Sequence, residues 1–454
     1  MSDHEKAEAL LEQDLALKSS QKTMENTIED FQKSTFRRYQ WKVGPLVQTD
    51  FKFIESLQFS PDGKKLLQLP DYQGLVKAYD TDTGQLIPMP LLKIKPGKFD
   101  ARNFSADGKS FVAPGGSDGK VWIVPLEPGQ LPRSLVSKSL FTVYKVMYSP
   151  DGSLILTASQ TPWVELEIYQ ASTGNKLFTL SESHKIDNKN PVINWSKDGK
   201  FLVTMTKNNC LVYDTQNGKI LANLNNTENA KKKISSHLSL WPFAKSQSST
   251  EFFTAEFSPD GRLVTRTKID SLFEVTFWNP QTGEKLLSLK ENEGKTPIRS
   301  MHLSPDGLWI ATTADNHNLQ IWDTQKGMKV GNLQLKSDQY PIVSLDFSRQ
   351  NNNLLILGND GRFVLWNWPT DQQIVSDHNG SKLKSIQFAD DERILIGTNS
   401  VGQLKNYDVS LGTINDQVQI TANSLPFQGV FSSDHESMVV WDQGALKLYK
   451  LQKK

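Results

Sequence analysis

The sequence predicts an all-β protein made of nine repeated units, and two observations lead to that prediction. The first is a hydrophobic residue that closes a short apolar run and recurs at intervals of 45, 44, 47, 62, 46, 44, 41 and 43 residues. A period in the low forties indicates a repeat protein. The nine closing residues are Phe59, Phe104, Tyr148, Trp195, Phe257, Leu303, Phe347, Phe388 and Phe431.

The second observation is the turn chemistry that follows each closing residue. An Asp lies three positions later in every unit except the seventh, where Gln350 replaces it, and a Gly follows the Asp in the first six units, as in FSPDG. Pro presets its own φ, Asp hydrogen-bonds nearby backbone and Gly accepts a positive φ. Each unit is therefore expected to begin with a strand, a tight turn and a second strand.

The second half of each unit is equally regular. Another hydrophobic residue lies 18 to 21 residues after the closing one, at Tyr79, Val124, Tyr169, Tyr213, Trp278, Trp322, Trp366, Tyr407 and Tyr449. In six units a Gly then marks a second hairpin turn before a further apolar stretch, at Gly84, Gly174, Gly218, Gly283, Gly327 and Gly412. Four short strands per unit predict one blade of a closed β-propeller.

One stretch carries a family resemblance. LSPDGLWIATTADNHNLQIWDTQKG resembles a WD40 repeat, and the resemblance extends over roughly residues 36–454. Members of that family often place a Gly-His pair before the first strand, but this chain has no Gly-His dipeptide, and His378 is nearest that position. The resemblance therefore implies a divergent WD40-like propeller, stabilised mainly by apolar packing and by its turn residues.

The last unit ends soon after its third strand, so another segment must supply the fourth. Residues 39–48, YQWKVGPLVQ, precede the first unit and are predicted to form the outer strand of the last blade. An uncovered β edge invites aggregation, which gives such closure a physical reason. Nine blades are expected on this count, and an eight-bladed ring with one unit packed outside it is the alternative.

Residues 1–35 belong to no blade and form an N-terminal arm. Leu10, Leu17, Met24 and Phe31 recur every seven residues, which is the spacing of a helical stripe. The second apolar position of each heptad is mostly polar, whereas a stable coiled coil normally needs both positions apolar. The arm is either an amphipathic helix that docks on a partner or on the propeller, or a mostly disordered leader.

Composition limits the classes of partner and location. Lys plus Arg number 51 and Asp plus Glu 50, so charge balance gives no reason to expect nucleic acid or an anionic membrane. The N-terminus lacks a secretory signal and no apolar run approaches the ~20 residues of a membrane span, so a cytoplasmic protein is expected. The single cysteine, Cys210, is predicted to be a buried residue of a third strand.

No set of residues with catalytic spacing is apparent in the sequence. GGSDG at Gly115–Gly119 matches the G-x-S-x-G hydrolase motif, but it falls where the second hairpin turn of a propeller unit is expected, as does LGNDG at Leu357–Gly361. Ser117 is therefore interpreted as a turn residue. No metal-ligand spacing or phosphate loop occurs, so we expect no metal, no cofactor and no enzymatic activity.

The segment that interrupts the period is the candidate binding element. An insertion of about 26 residues, at about 225–250, separates the fourth and fifth units. Its candidate partner-binding residues are Lys231, Lys232, Lys233, Trp241 and Phe243, since aromatic anchors and a charged rim are common at interfaces. Alternatively, the aromatic residues fold back and cap the propeller while the lysines are solvated.

These features predict a non-catalytic scaffold for protein-protein contacts within a larger intracellular complex, with the N-terminal arm as a possible second contact. Two other classes stay open at this point. A propeller-type hydrolase or lyase would share the Ser-Pro-Asp-Gly turns, and an RNA- or phosphate-binding propeller would use the three consecutive lysines.

Overall fold

A computed structural model describes most of the repeat region. The described stretches are residues 39–48, 57–68, 76–89, 103–115, 120–127, 129–135, 143–160, 164–180, 191–224, 250–269, 271–291, 296–314, 317–335, 341–349, 352–375, 383–388, 394–399, 404–408, 413–415, 429–432, 437–442 and 445–453. Their regular structure is β-strand throughout, with no α-helix in these stretches, which confirms the all-β prediction. The predicted N-terminal arm, residues 1–35, lies outside them.

The strands described in the first half of the chain form antiparallel sheets in sequence order, and each sheet is one blade. Blade 2 has three strands, with a bridge from Phe104 to Phe111 in the place of its first strand. After β1 (Tyr39–Gln48), blades 1 to 4 comprise β2 (Leu57–Phe59), β3 (Lys65–Gln68), β4 (Lys77–Asp80) and β5 (Leu86–Ile87); β6 (Ser110–Pro114), β7 (Val121–Pro125) and β8 (Arg133–Ser134); β9 (Val143–Tyr148), β10 (Leu154–Gln160), β11 (Val164–Gln170) and β12 (Lys176–Thr179); β13 (Val192–Trp195), β14 (Phe201–Met205), β15 (Cys210–Asp214) and β16 (Ile220–Asn223).

The second half of the chain continues the same four-stranded pattern. Blades 5 to 8 comprise β17 (Thr250–Phe257), β18 (Leu263–Ile269), β19 (Leu272–Trp278) and β20 (Lys285–Leu289); β21 (Ile298–Leu303), β22 (Trp309–Ala314), β23 (Asn318–Asp323) and β24 (Lys329–Gln334); β25 (Ile342–Phe347), β26 (Asn353–Gly358), β27 (Phe363–Asn367) and β28 (Gln372–Val375); β29 (Leu383–Phe388), β30 (Ile394–Asn399), β31 (Leu404–Asp408) and β32 (Thr413–Asn415). Blade 9 contains β33 (Gly429–Phe431), β34 (Ser437–Asp442) and β35 (Ala445–Lys453).

The N-terminal strand completes blade 9. β1 pairs antiparallel with β35, from Tyr39 opposite Lys453 to Gln48 opposite Ala445, so the sheet order is β1-β35-β34-β33. The pairing predicted for residues 39–48 is thereby confirmed. The register shifts between Val43 and Leu46, which places Pro45 in an irregularity where its missing N–H breaks no ladder bond. With this strand the described residues form nine sheets, as the repeat count predicts.

Apolar packing joins adjacent blades. Leu66 and Tyr79 of blade 1 share one buried cluster with Val439 and Leu448 of blade 9. Equivalent clusters join each blade to the next from blade 1 to blade 8. First strands of neighbouring blades also contact one another, as β2 does with β33, so the first strands surround the axis. These clusters join the nine sheets in series from blade 9 through blade 1 to blade 8, and the alternative of an eight-bladed ring with one unit packed outside it stays a prediction.

The meander gives the ring two different faces. The turns between first and second strands and between third and fourth strands lie on one face, called here the turn face. The turns between second and third strands, and the connections that enter each first strand, lie on the opposite face, called here the loop face. Successive antiparallel strands run in opposite directions, so every blade contributes the same kinds of connection to each face.

The turn between the third and fourth strands of a blade is called here its second turn, and the turn between the first and second strands its first turn. The second turn needs Gly for two reasons. Gly327 has a φ of 68°, and a Cβ at that position would lie 2.6 Å from Leu287 Cδ1 of the preceding blade. Gly218 has the same conformation, and a Cβ there would lie 2.6 Å from Phe178. Only Gly meets a positive φ and so close an approach together. The repeated Gly therefore marks where the fourth strand of one blade packs on the next blade.

Candidate partner-binding surface

The aspartates of the turn face are held by their own turns. Ser60 Oγ donates to Asp62 Oδ1 at 2.6 Å, and the Lys64 backbone N–H donates to the same oxygen at 3.1 Å. The Ser-Asp bond recurs in blades 2 to 6, at Ser105-Asp107, Ser149-Asp151, Ser196-Asp198, Ser258-Asp260 and Ser304-Asp306. In blade 2 the hydrogen bond from Ser105 lowers the pKa of Asp107. These carboxylates serve as turn acceptors, spread around the ring one per blade.

Trp residues on two third strands donate hydrogen bonds to the second strand of the same blade. Trp278 Nε1 donates to Thr265 Oγ1 at 2.8 Å, and Trp322 Nε1 donates to Thr312 Oγ1 at 2.9 Å. The indole-hydroxyl bond therefore links the second and third strands within each of these blades.

The G-x-S-x-G match lies between two paired strands. Pro114 at the end of β6 is opposite Val121 at the start of β7, and the Gly115 N–H donates to the Lys120 carbonyl at 2.6 Å. A nucleophile elbow requires a strand, a turn and then a helix. Ser117 itself lies outside the described residues, but its flanks form a strand-to-strand hairpin.

Polar side chains one position before the closing residue link first strands around the axis. Asn103 Nδ2 donates to the Val146 carbonyl at 3.0 Å, and Asn194 Nδ2 donates to the Ala255 carbonyl at 2.7 Å. Glu256 and His302 occupy the same position in blades 5 and 6. Burial raises the pKa of Glu256 and lowers that of His302, so the uncharged form of each is favoured.

Cys210 lies on the third strand of blade 4, as predicted, and is fully buried. Burial raises the pKa of its thiol, which makes the nucleophilic thiolate unfavourable. Within the described part of the chain no three His, Cys, Asp or Glu residues are grouped so that they could hold a metal ion.

The loop face carries an irregularity that the repeat pattern does not predict. Near the start of the first strand in blades 3, 5, 6, 7 and 8 the ladder shifts register, which adds one residue to each of these strands. Bulges re-aim side chains and are frequent next to functional sites. Val343 is 52% exposed and Phe253 36%. The five added residues are Tyr144, Phe253, Arg299, Val343 and Lys384.

The predicted binding insertion enters the ring at the same face. β16 ends at Asn223 and β17 begins at Thr250, so the connection between blades 4 and 5 leads into the bulged end of β17. Residues 225–249 lie outside the described residues. The contacts predicted for Lys231, Lys232, Lys233, Trp241 and Phe243 therefore stay predictions.

Comparison with known proteins agrees with the blade geometry. The family model described as "WD domain, G-beta repeat" matches residues 283–323, which extend from the second turn of blade 5 through the third strand of blade 6. The chain thus contains one stretch similar to a WD repeat within a series of nine β-sheets. The match covers one repeat length, because this stretch has the family's Ser-Pro-Asp-Gly and Trp-Asp sequences together.

Several known proteins are similar to parts of the chain. Minichromosome loss protein 1 of Schizosaccharomyces pombe is 26% identical over 260 residues, 56% of this chain and 28% of that protein. Periodic tryptophan protein 2 homolog of the same yeast is 30% identical over 122 residues, 26% of this chain and 14% of that protein. Human apoptotic protease-activating factor 1 is 21% identical over 319 residues, 65% of this chain and 22% of that protein.

The chain thus spans less than a third of the length of each of these relatives. Among solved structures, the C-terminal WD40 domain of Sif2 aligns with a TM-score of 0.45 and 14% identity, covering 77% of this chain and 93% of that one. Among the described residues of the propeller there is no helix of the length and apolarity that a bilayer crossing requires.

Proposed function

We propose that this WD40-like propeller is a non-catalytic platform for protein-protein contacts within a larger intracellular complex, and that its partner binds the loop face. The observation that carries the proposal is the position of the ring's irregularities. The first-strand bulges of five blades and the entry of the insertion lie at this one face. Loops on rigid scaffolds commonly carry binding function.

The chemistry of the turn face also favours the loop face as the partner-binding surface. Its Ser and Asp side chains are occupied by hydrogen bonds inside their own turns, as in the 2.6 Å bond between Ser105 and Asp107. A surface made of nearly identical closed turns offers a partner little that differs from blade to blade. The loop face, by contrast, presents Phe253, Arg299 and Val343 at equivalent positions of successive blades. Such differences are what a specific partner can recognise.

The insertion supplies the proposed contacts. Trp241 and Phe243 would act as buried anchors, and Lys231, Lys232 and Lys233 as a rim that sets association rate and orientation more than affinity. The name of human apoptotic protease-activating factor 1 describes an action on a protease, which is another protein, and this agrees with a protein partner. The N-terminal arm, residues 1–35, is a second proposed contact, and the proposed location is the cytoplasm.

The test begins with gentle purification of the protein from its source and identification of the protein that accompanies it. Binding of that partner is then measured for Trp241→Ala/Phe243→Ala and for charge reversal at Lys231, Lys232 and Lys233. The aromatic variant is expected to lose on the order of 2 kcal/mol of binding free energy with an unchanged melting temperature. The charge variant should mainly slow association.

A different result would reassign the insertion. If the aromatic variant loses several degrees of melting temperature and keeps its partner, Trp241 and Phe243 form a structural cap and the binding surface lies elsewhere.

A further inference from the structure

Arg266 lies between the bulges of blades 5 and 6 on the loop-face side of the ring. Its Nη1 donates to the carbonyl of Ile298, the residue before the blade 6 bulge, at 2.8 Å. Its guanidinium stands 4.8 Å from the ring centroid of Phe253, the bulge residue of blade 5. One cation thus contacts the bulges of two neighbouring first strands.

The polar groups around Arg266 are not satisfied within the described part of the chain. Arg266 Nε and Thr254 Oγ1, on directly paired residues, are both buried without a hydrogen-bond partner there. No carboxylate among the described residues pairs with Arg266. Burial, and then the charge of nearby Arg299, lowers the pKa of Arg266. A half-buried guanidinium with these neighbours is a site that an anion would stabilise.

At the equivalent ladder position of blade 6, the two side chains satisfy each other by a hydrogen bond. There the first pair after the bulge is Ser300 and Thr313, whose hydroxyls lie 2.7 Å apart in a hydrogen bond. The same ladder position in blade 5 holds Thr254 and Arg266. A hydroxyl at 266 would have matched the Ser-Thr pair within blade 5, whereas the arginine reaches across to the Ile298 carbonyl of blade 6 and leaves its Nε without a partner among the described residues.

Apolar surface and a second cation lie beside the guanidinium. Phe253 is 36% exposed. Lys268 extends over the ring of Phe273 at 5.5 Å, and it lies on the same side of the sheet as Arg266, two residues further along β18. The surface formed by Arg266, Lys268, Arg299 and Phe253 is called here the blade 5/6 patch.

We propose that the blade 5/6 patch binds an acidic peptide segment of the partner protein, with a carboxylate on Arg266 and Arg299 and an adjacent apolar side chain on Phe253. This rests on the proposed function and specifies the chemistry of the partner. A peptide fits better than a nucleic acid, because the chain carries a net charge of only +1 and the three cations of the patch are few for a phosphate backbone.

The experiment uses the full chain and a defined probe. Fluorescence anisotropy measures binding of the labelled peptide EEDLFEE and of its neutral counterpart QQNLFQQ. The variants are Arg266→Met, which keeps volume without charge, and Arg299→Gln. The matched control is Lys200→Gln, which removes one exposed cation on the turn face.

The acidic peptide is expected to bind and the neutral one to bind at least about tenfold more weakly, as lost charge-assisted hydrogen bonds require. Arg266→Met and Arg299→Gln should each weaken the acidic peptide by a similar factor, while Lys200→Gln leaves its affinity unchanged. Arg266→Met removes the hydrogen bond to the Ile298 carbonyl together with the unsatisfied Nε, so its melting temperature is measured beside the binding to show that the variant is folded.

Three outcomes would overturn the proposal. The first is equal affinity of wild type and Arg266→Met for EEDLFEE. The second is loss of peptide binding in Arg266→Met, together with a lower melting temperature, while Arg299→Gln binds as wild type does, which would make Arg266 a structural residue. The third is tighter binding of oligo(U) RNA than of the peptide, lost in Arg266→Met.

Failure of this proposal is distinguishable from failure of the proposed function. A partner that co-purifies with the protein and depends on Trp241 and Phe243, but binds Arg266→Met as it binds wild type, would refute the patch and leave the platform role intact.

Discussion

Arg262 Nη1 donates a hydrogen bond to the backbone carbonyl of Thr324 at 2.6 Å and so joins the first turn of blade 5 to the second turn of blade 6. Its Nη2 donates to Thr324 Oγ1 at 2.9 Å, and its Nε donates to Asp260 Oδ2 at 2.8 Å. Thr324 Oγ1 in turn donates to the Gly307 carbonyl at 2.6 Å. One guanidinium thus connects three turns of the turn face.

Arg262→Ala is predicted to destabilise the propeller by about 2 kcal/mol, because it removes two hydrogen bonds from a charged donor across a blade interface. The free energy of unfolding in urea measures the effect. Lys200→Ala is the matched control at the same turn position of blade 4, where the Nζ lies 3.5 Å from Asp198 and the side chain is 68% exposed. The control should change stability by no more than about 0.5 kcal/mol. Equal effects of the two variants would show that Arg262 makes no special inter-blade link.

Glu274 is a buried carboxylate on the third strand of blade 5, with a side chain only 4% exposed. Its Oε1 accepts from Lys285 Nζ at 2.9 Å, and its Oε2 accepts from Ser288 Oγ at 2.7 Å. Burial alone would raise its pKa, but the bonds from Ser288 and Lys285 and the charges of Lys285 and Lys290 outweigh burial and lower it. The carboxylate is therefore held in its ionised form.

This lowered pKa predicts a pH-dependent effect of Glu274→Gln. A carboxylate whose pKa falls on folding contributes stability above its unfolded pKa, near 4.3, and loses it as pH falls through the folded value. At pH 7 the variant should lose on the order of 3 kcal/mol, because Lys285 and Lys290 keep their charges without an anion.

Urea unfolding of wild type and Glu274→Gln from pH 7 to pH 3 measures the difference, which should shrink below about pH 4. The exposed Glu284 provides the control, and Glu284→Gln should show little difference at either pH. A constant difference across the range would mean that the ionised carboxylate is not what stabilises this site.

Local chemistry explains why the architecture could be predicted from the sequence. Each blade uses the same turn residues for the same bonds, so Asp62 and its equivalents appear at a fixed distance from each closing residue. The closing strand could be placed because the last unit lacks a fourth strand and residues 39–48 stand unassigned. The turn bonds depend on neighbours in sequence, and the closing strand follows from the count of strands in the repeat, so a single chain reveals both.

The binding patch and the inter-blade links could not be predicted, because they depend on pairs of blades. Arg262 meets Thr324 across 62 positions, and Arg266 meets Ile298 across 32. The bulges depend on the length of the partner strand as well as their own, and FFTAEF does not show that Phe253 is the added residue. The sequence directed attention to the insertion by its length, whereas Arg266 lies inside an ordinary second strand.

The pairing of β1 with β35 predicts how the chain tolerates N-terminal truncation. Removing residues 1–35 leaves Tyr39–Gln48 in place, so the melting temperature should stay close to that of wild type. Removing residues 1–50 leaves the outer edge of β35, a nine-residue strand, without its pairing strand, so aggregation and a lower melting temperature are expected. Differential scanning calorimetry with light scattering measures both.

A point variant separates strand pairing from chain length. Val43→Pro removes one backbone donor and fixes φ at a position paired with Tyr449, whereas the native Pro45 lies in the register shift two residues later. Val43→Pro should therefore destabilise blade 9 in the full-length chain, and Pro45→Ala should not. If both truncations melt alike and Val43→Pro is silent, the N-terminal strand does not close the ring.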